Sequence, residues 1–232
     1  MPRQVVQLDH LGEVTFSRNG RSKNIKLSVK PDKSVLVSYP YHVSKKEVLQ
    51  FVVKNEAWIR QQQAKMDRRK TKVGLNTVIE TKLHRISFGL SDEKRVRKNK
   101  SEFVIELPDI ELPESQAYIE DCLTAVYRYE AKVLLPQRLK ELAGKNGFSY
   151  QRVSIRNNRR NWGSCSSQNN ISLNLQMMKL PDHLIDYILL HELVHTQIKN
   201  HGPKFWAKLD QLCGFRAKAL AREVQKYSTY TL

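Results

Sequence analysis

His191-Glu192-Leu193-Val194-His195-Thr196-Gln197-Ile198-Lys199-Asn200-His201 is the stretch on which the reading of this chain turns. Two histidines four residues apart fall on one face of a helix, about one turn from each other. Both imidazoles can therefore bind one ion, at Zn–N distances of about 2.0–2.1 Å. Glu192 lies one residue step, about 100°, round the helix, so it is badly placed to ligate the same ion. It can reach a water on that ion, the general-base position of metal-assisted hydrolysis. His201 follows after Asn200 and just before Gly202-Pro203, where the chain is expected to break. With it the spacing becomes HExxHxxxxxH: three protein ligands and an open fourth position, as in a catalytic zinc site. Ile198 stands midway, where one large group of such sites has glycine, so the return turn is expected at Lys199-Asn200.

The flanks strengthen this reading. Ile185, Ile188, Leu189, Leu190, Leu193 and Val194 make the segment apolar nearly all round, the mark of a buried helix. Two imidazoles and a carboxylate inside such a helix cost free energy unless something compensates them, and a divalent cation would compensate all three. A five-residue HExxH pattern also recurs by chance; the apolar helix, the third histidine and the placed break argue against chance here.

The 232 residues suffice for one large domain or for one domain with a companion. An apolar share of 40% and a charged share of 27% are those of a globular protein, which excludes a disordered chain. No apolar run is long enough to span a membrane, and no apolar leader opens the sequence, so the expected location is the cytoplasm. Cys122, Cys165 and Cys213 are few and scattered, which fits reduced thiols rather than a disulfide framework. The formal charge is +17, spread over both halves. Residues 142–181 hold six Lys or Arg and no acid. Such a balance favours an anionic partner, nucleic acid included, although taken alone the charge is better accounted for by a solvated basic surface that keeps the protein soluble.

Along the chain the texture changes near residue 112, which divides it into 1–112, a β-rich amino-terminal domain with one helix, and 113–232. Ile25, Leu27 and Val29, then Val35, Val37 and Tyr39, alternate with polar residues about a Pro31-Asp32-Lys33-Ser34 turn, a hairpin pattern. Ser44 and Glu47 form a capping box for a helix running to about Met66. Short strands are expected within 75–107, interrupted by a basic loop at 94–100. A long helix over 114–143 is expected to kink or split at Pro136 and to end at Gly144 and Gly147. Strands follow at 150–156 and 170–175, then helices from Leu180 onward. No internal repeat is visible in the sequence.

Further pieces point the same way: SKNIKLSVKPDKSVLVSYP (22–40), SKKEVLQFVVKNEAWI (44–59), AKVLLPQRLKELA (131–143), RRNWGSCSSQNNISLN (159–174), LPDHLIDYILLHELVH (180–195) and NHGPKFW (200–206). In these the chain resembles the YgjP-like metallopeptidase family, a zincin-type group related in motif to the SprT-like proteases. The resemblance runs over roughly residues 18–215 and is weakest across 67–112. It implies an α+β fold: a zincin-like catalytic core in the second half, with its HExxH helix, and a β-rich amino-terminal part. It further implies that His191, His195 and His201 hold the metal, that Glu192 is catalytic, and that a strand within 159–174 rims the cleft. Gly202 and Asn161 depart from the family, which has serine and a basic residue there.

The sequence thus predicts a zinc hydrolase, a metallopeptidase, with one Zn²⁺ per chain and a peptide or other anionic substrate. Arg156, Arg159, Arg160 and Trp162 are the candidate substrate contacts, and Tyr187 or the arginines the candidate oxyanion donors. Cys165 is expected to be a buried thiol rather than a fourth ligand. Lone His10, His42, His84 and His183 are expected to be ordinary structural residues. Two other readings use the same site: a metal-dependent nucleotide or phosphoanhydride hydrolase, and a DNA-associated protease with a basic docking surface. A purely structural protein would make Glu192 dispensable.

Overall fold

The computed structural model describes residues 4–9, 11–30, 33–67 and 72–231, and the architecture is mixed α+β. The chain forms two compact units, 1–71 and 72–231.

The first unit carries strands β1 (Gln4–Leu8), β2 (Gly12–Arg18), β3 (Lys26–Val29) and β4 (Val35–Tyr39), followed by helices α1 (Lys45–Lys54) and α2 (Glu56–Asp67). The strand order is β1-β2-β4-β3, with β2 and β4 parallel and the outer pairs antiparallel. The expected β3–β4 hairpin forms: Lys33 N–H donates to the Lys30 carbonyl (2.9 Å). Pro31 and Asp32 lie outside the described residues. Alternation in β2 and β4 puts Val14, Phe16, Val35 and Val37 on the buried face, against Val48, Val52 and Ile59 from the helices. The Ser44–Glu47 capping box is present in both directions. The single helix expected over 44–66 is instead two. Asn55 ends the first, its side-chain amide donating to the Phe51 carbonyl (2.7 Å) in competition with the helix ladder.

The second unit opens with β5 (Ile79–Glu80), β6 (Arg85–Leu90), β7 (Arg95–Lys98) and β8 (Glu102–Leu107), in the order β5-β6-β8-β7. Directions are again antiparallel, parallel, antiparallel, so this sheet repeats the topology of the first. The basic loop expected at 94–100 contains β7, an edge strand with every residue exposed. Helix α3 (Pro113–Asn146) then runs unbroken through Pro136, and Gly147 caps it at φ 67°. The carbonyl that Pro136 leaves without an amide belongs to exposed Lys132, where water can satisfy it. Strands β9 (Arg152–Arg156), β10 (Gly163–Cys165) and β11 (Asn170–Asn174) form a third sheet, β10-β11-β9. A 3-10 turn (Leu175–Lys179) and helices α4 (Asp182–Val194), α5 (Pro203–Leu212) and α6 (Ala217–Val224) complete the unit.

The division at 71/72, rather than at 112/113, has a physical cause. Segment 73–110 is fastened to α3. The Gln116 amide accepts from Val73 N–H (3.0 Å) and donates to the carbonyls of Val73 (2.8 Å) and Ile110 (2.6 Å). Fully buried Glu130 on α3 binds the turn between β5 and β6. It accepts from the Thr81 hydroxyl, from the backbone N–H of Lys82 and Leu83 (3.1 Å each), and bonds His84 Nδ1 (2.8 Å). In Glu130→Gln one oxygen becomes an NH₂ facing N–H donors. A loss of about 2–4 kcal/mol is expected, read as a fall in Tm of roughly 5–10 °C by calorimetry; an unchanged Tm would mean that this carboxylate is not the anchor.

Candidate metal centre

Helix α4 supplies the first elements of the site. It is apolar over most of its surface, with Asp182, His183 and Asp186 at its first turns left exposed or half-buried, and Ile185, Ile188, Leu189, Leu190, Leu193 and Val194 are buried, as expected. His191 and His195 share one face, His195 ending the helix at Val194. Its ring Nδ1 lies 3.0 Å from the Ile198 carbonyl, which makes Nδ1 the protonated nitrogen and leaves Nε2 a bare acceptor. The return turn needs no glycine: among the described residues, none from 196 to 201 adopts a positive φ, so Ile198 is accommodated. Gly202 and Pro203 start α5, as the break in the sequence suggested.

The three Nε2 atoms converge. They stand 3.2 Å (His191–His195), 3.0 Å (His195–His201) and 3.0 Å (His191–His201) apart. Nitrogens about 2.0–2.1 Å from a tetrahedral ion lie about 3.3 Å from one another, close to this spacing. Burial, then the neighbouring imidazoles, push the His191 pKa down to about 3, so its ring stays neutral and able to ligate. These groups could hold a metal ion. Phe205 of α5, fully buried, lies under all three rings at centroid distances of 4.5–4.8 Å.

Glu192 is 5% exposed, and burial raises its pKa to about 8. Its Oε2 is buried without a hydrogen-bond partner. An orphaned carboxylate oxygen beside three converging nitrogens is the polarity that a cation and its water would satisfy. Gly163 of β10 backs this side chain so closely that a Cβ there would sit 2.7 Å from Glu192 Oε1.

The other predicted residues are less concentrated. Trp162 is half-buried, and its carbonyl accepts from Asn174 N–H (2.8 Å). Arg156, Arg159 and Arg160 are exposed and form no ion pair with a described residue. Tyr187 is buried with its ring edge-on to His191 (6.1 Å), and burial raises its pKa to about 12; it packs on that imidazole instead of facing solvent as a donor. Cys165 is a free thiol, half-buried rather than buried. His84 and His183 bond Glu130 and Glu223, so both are structural; His10 lies outside the described residues. Gly163 and the role of Phe205 were not foreseen, since only tertiary contact reveals them.

The sequence model of the YgjP-like metallopeptidase domain matches residues 23–223. The chain belongs to the YgjP-like metallopeptidase family. It is, as the family name states, a metallohydrolase. No curated protein matches the chain. Among solved structures, the metallopeptidase zymogen abylysin of Pyrococcus abyssi is 25% identical, with a TM-score of 0.36, over 40% of this chain and 94% of that one. The zymogen jannalysin of Methanocaldococcus jannaschii is likewise 25% identical, with a TM-score of 0.34, over 40% and 90%.

The Gly163 contact yields a direct test. Gly163→Ala must displace Glu192 while leaving the imidazoles in place. Hydrolysis should fall about 100-fold with zinc content unchanged by elemental analysis; full activity would show that Glu192 need not occupy this position.

Proposed function

We propose that this YgjP-like protein is a zinc metallopeptidase in which His191, His195 and His201 hold one Zn²⁺ and Glu192 is the general base. The observation that carries the reading is the convergence of three imidazole nitrogens, with the next residue after His191 a buried carboxylate that has a partnerless oxygen. When bound, zinc supplies Lewis acidity, polarising the scissile carbonyl and acidifying water at the open fourth position. Glu192 then takes the proton of the attacking water on a carboxylate oxygen and passes it to the leaving amine. Gly163 and Phe205 keep the carboxylate and the rings from drifting.

Strand β10 supports an extended peptide as substrate. It is an edge strand, and its register with β11 makes Trp162, Ser164 and Ser166 the residues bonded inward. The main-chain groups of Gly163 and Cys165 therefore face outward, where an added strand would bond. Asn161 Nδ2 already donates to the Gly163 carbonyl (2.9 Å). Arg156, Arg159 and Arg160, free of acidic partners, favour an acidic stretch of substrate. The same arginines favour the second reading, phosphoanhydride hydrolysis at this site. Among the described residues no helix is long and apolar enough to cross a membrane. The three cysteines are free thiols, which suits a reducing compartment such as the cytoplasm.

The test is a mass-spectrometric screen of zinc-loaded protein against a peptide library and against nucleoside triphosphates. We expect peptide cleavage that drops about 1,000-fold in Glu192→Gln and disappears, with the zinc, in His201→Ala. Triphosphate hydrolysis without peptide cleavage would replace this reading by the second; cleavage surviving Glu192→Gln would overturn the mechanism.

A further inference from the structure

The loop that brings His201 to the site contains Lys199, one residue after the carbonyl that orients His195 and two before the third ligand. The Lys199 ammonium lies 2.8 Å from the Ser166 carbonyl, 2.6 Å from Asn169 Oδ1 and 3.8 Å from Cys165 Sγ. An ammonium has three N–H donors, and each here has an acceptor. All three acceptors belong to the β10–β11 hairpin, 30–34 residues earlier in the chain. That hairpin is a firm anchor: Asn169 N–H donates to Ser166 O (3.0 Å), Ser166 N–H to Asn170 O (2.9 Å), and Asn169 holds φ 59°. The same strand places Gly163 against Glu192. Among the described residues, no other side-chain hydrogen bond joins the 196–201 loop to this hairpin.

A lysine this near three metal-binding imidazoles is a liability on charge alone, since like charges repel and the cation would bind less tightly. Its position is explained if the bonds it makes do more for the site than its charge does against it. We propose that Lys199 is a positioning residue of the metal centre: its ammonium fastens the loop carrying His201 to the hairpin that backs Glu192, so that the third ligand and the general base are held in one frame. The inference rests on the metal reading given above.

The two effects of Lys199 have opposite signs, which makes them separable. Metal-free full-length protein is titrated with zinc against a chromophoric chelator, as wild type, Lys199→Met and Lys199→Arg. Positioning predicts binding about tenfold weaker in Lys199→Met and largely restored in Lys199→Arg. Equal or tighter zinc binding by Lys199→Met, the result of removing a repelling charge, overturns the proposal while leaving the metal site standing. A wild type that binds no zinc overturns both. Hydrogen–deuterium exchange on the same metal-free proteins gives a readout independent of zinc. Lys199→Met should speed exchange in 163–170 and in 196–201 together, and unchanged exchange in either segment also overturns the clamp.

Discussion

Three imidazole nitrogens, the Nε2 atoms of His191, His195 and His201, point at one another across 3.0–3.2 Å. Burial keeps His191 neutral, which leaves it a nitrogen lone pair to offer, and a single cation placed among the three is a partner that all three nitrogens can bind at once. The rest of the second unit can be understood as the scaffold that holds this convergence. Helix α4 is buried over most of its length, residues 184–190 apart from Asp186 and then 192–194, which fixes the face from which His191 and His195 project. Phe205 fills the space beneath the rings, and the Ile198 carbonyl sets the tautomer of His195. Gly163 brings a strand within van der Waals reach of Glu192.

The three-histidine cluster was legible in the sequence because its geometry is local. A four-residue spacing on a helix decides that two side chains share a face, and a break before a third histidine shows where the chain returns. The apolar surroundings of α4 were equally legible, since periodicity carries burial. Gly163, Phe205 and Lys199 were not. Each matters through a partner brought close by tertiary packing, and no spacing rule connects Lys199 with Ser166 or Gly163 with Glu192. The arginines 156, 159 and 160 show the reverse: a composition signal visible in the sequence that the structure leaves exposed and unpaired.

The fold was legible where alternation was clean, as in the β3–β4 hairpin, and obscured where charge masked it. Strand β7 has the sequence RVRK and no buried residue, so nothing in its pattern separates it from a solvated loop; Arg95 and Arg97 are held by Glu106 across the ladder. The repeated strand order of the two four-stranded sheets left no evident sequence repeat, because topology is preserved by patterns of burial rather than by residue identity. The unit boundary was misplaced for a related reason. Texture changes at the start of α3, but the side chains of Gln116 and Glu130 tie the preceding sheet to that helix.

X-ray absorption at the zinc edge, on protein carrying its metal, examines the central claim at the atoms concerned. The account predicts a four-coordinate first shell of nitrogen and oxygen only, at about 2.0–2.1 Å, with the outer-shell scattering of three imidazoles, reduced to two in His201→Ala. Sulfur in the first shell, or a six-oxygen shell without imidazole scattering, would contradict it.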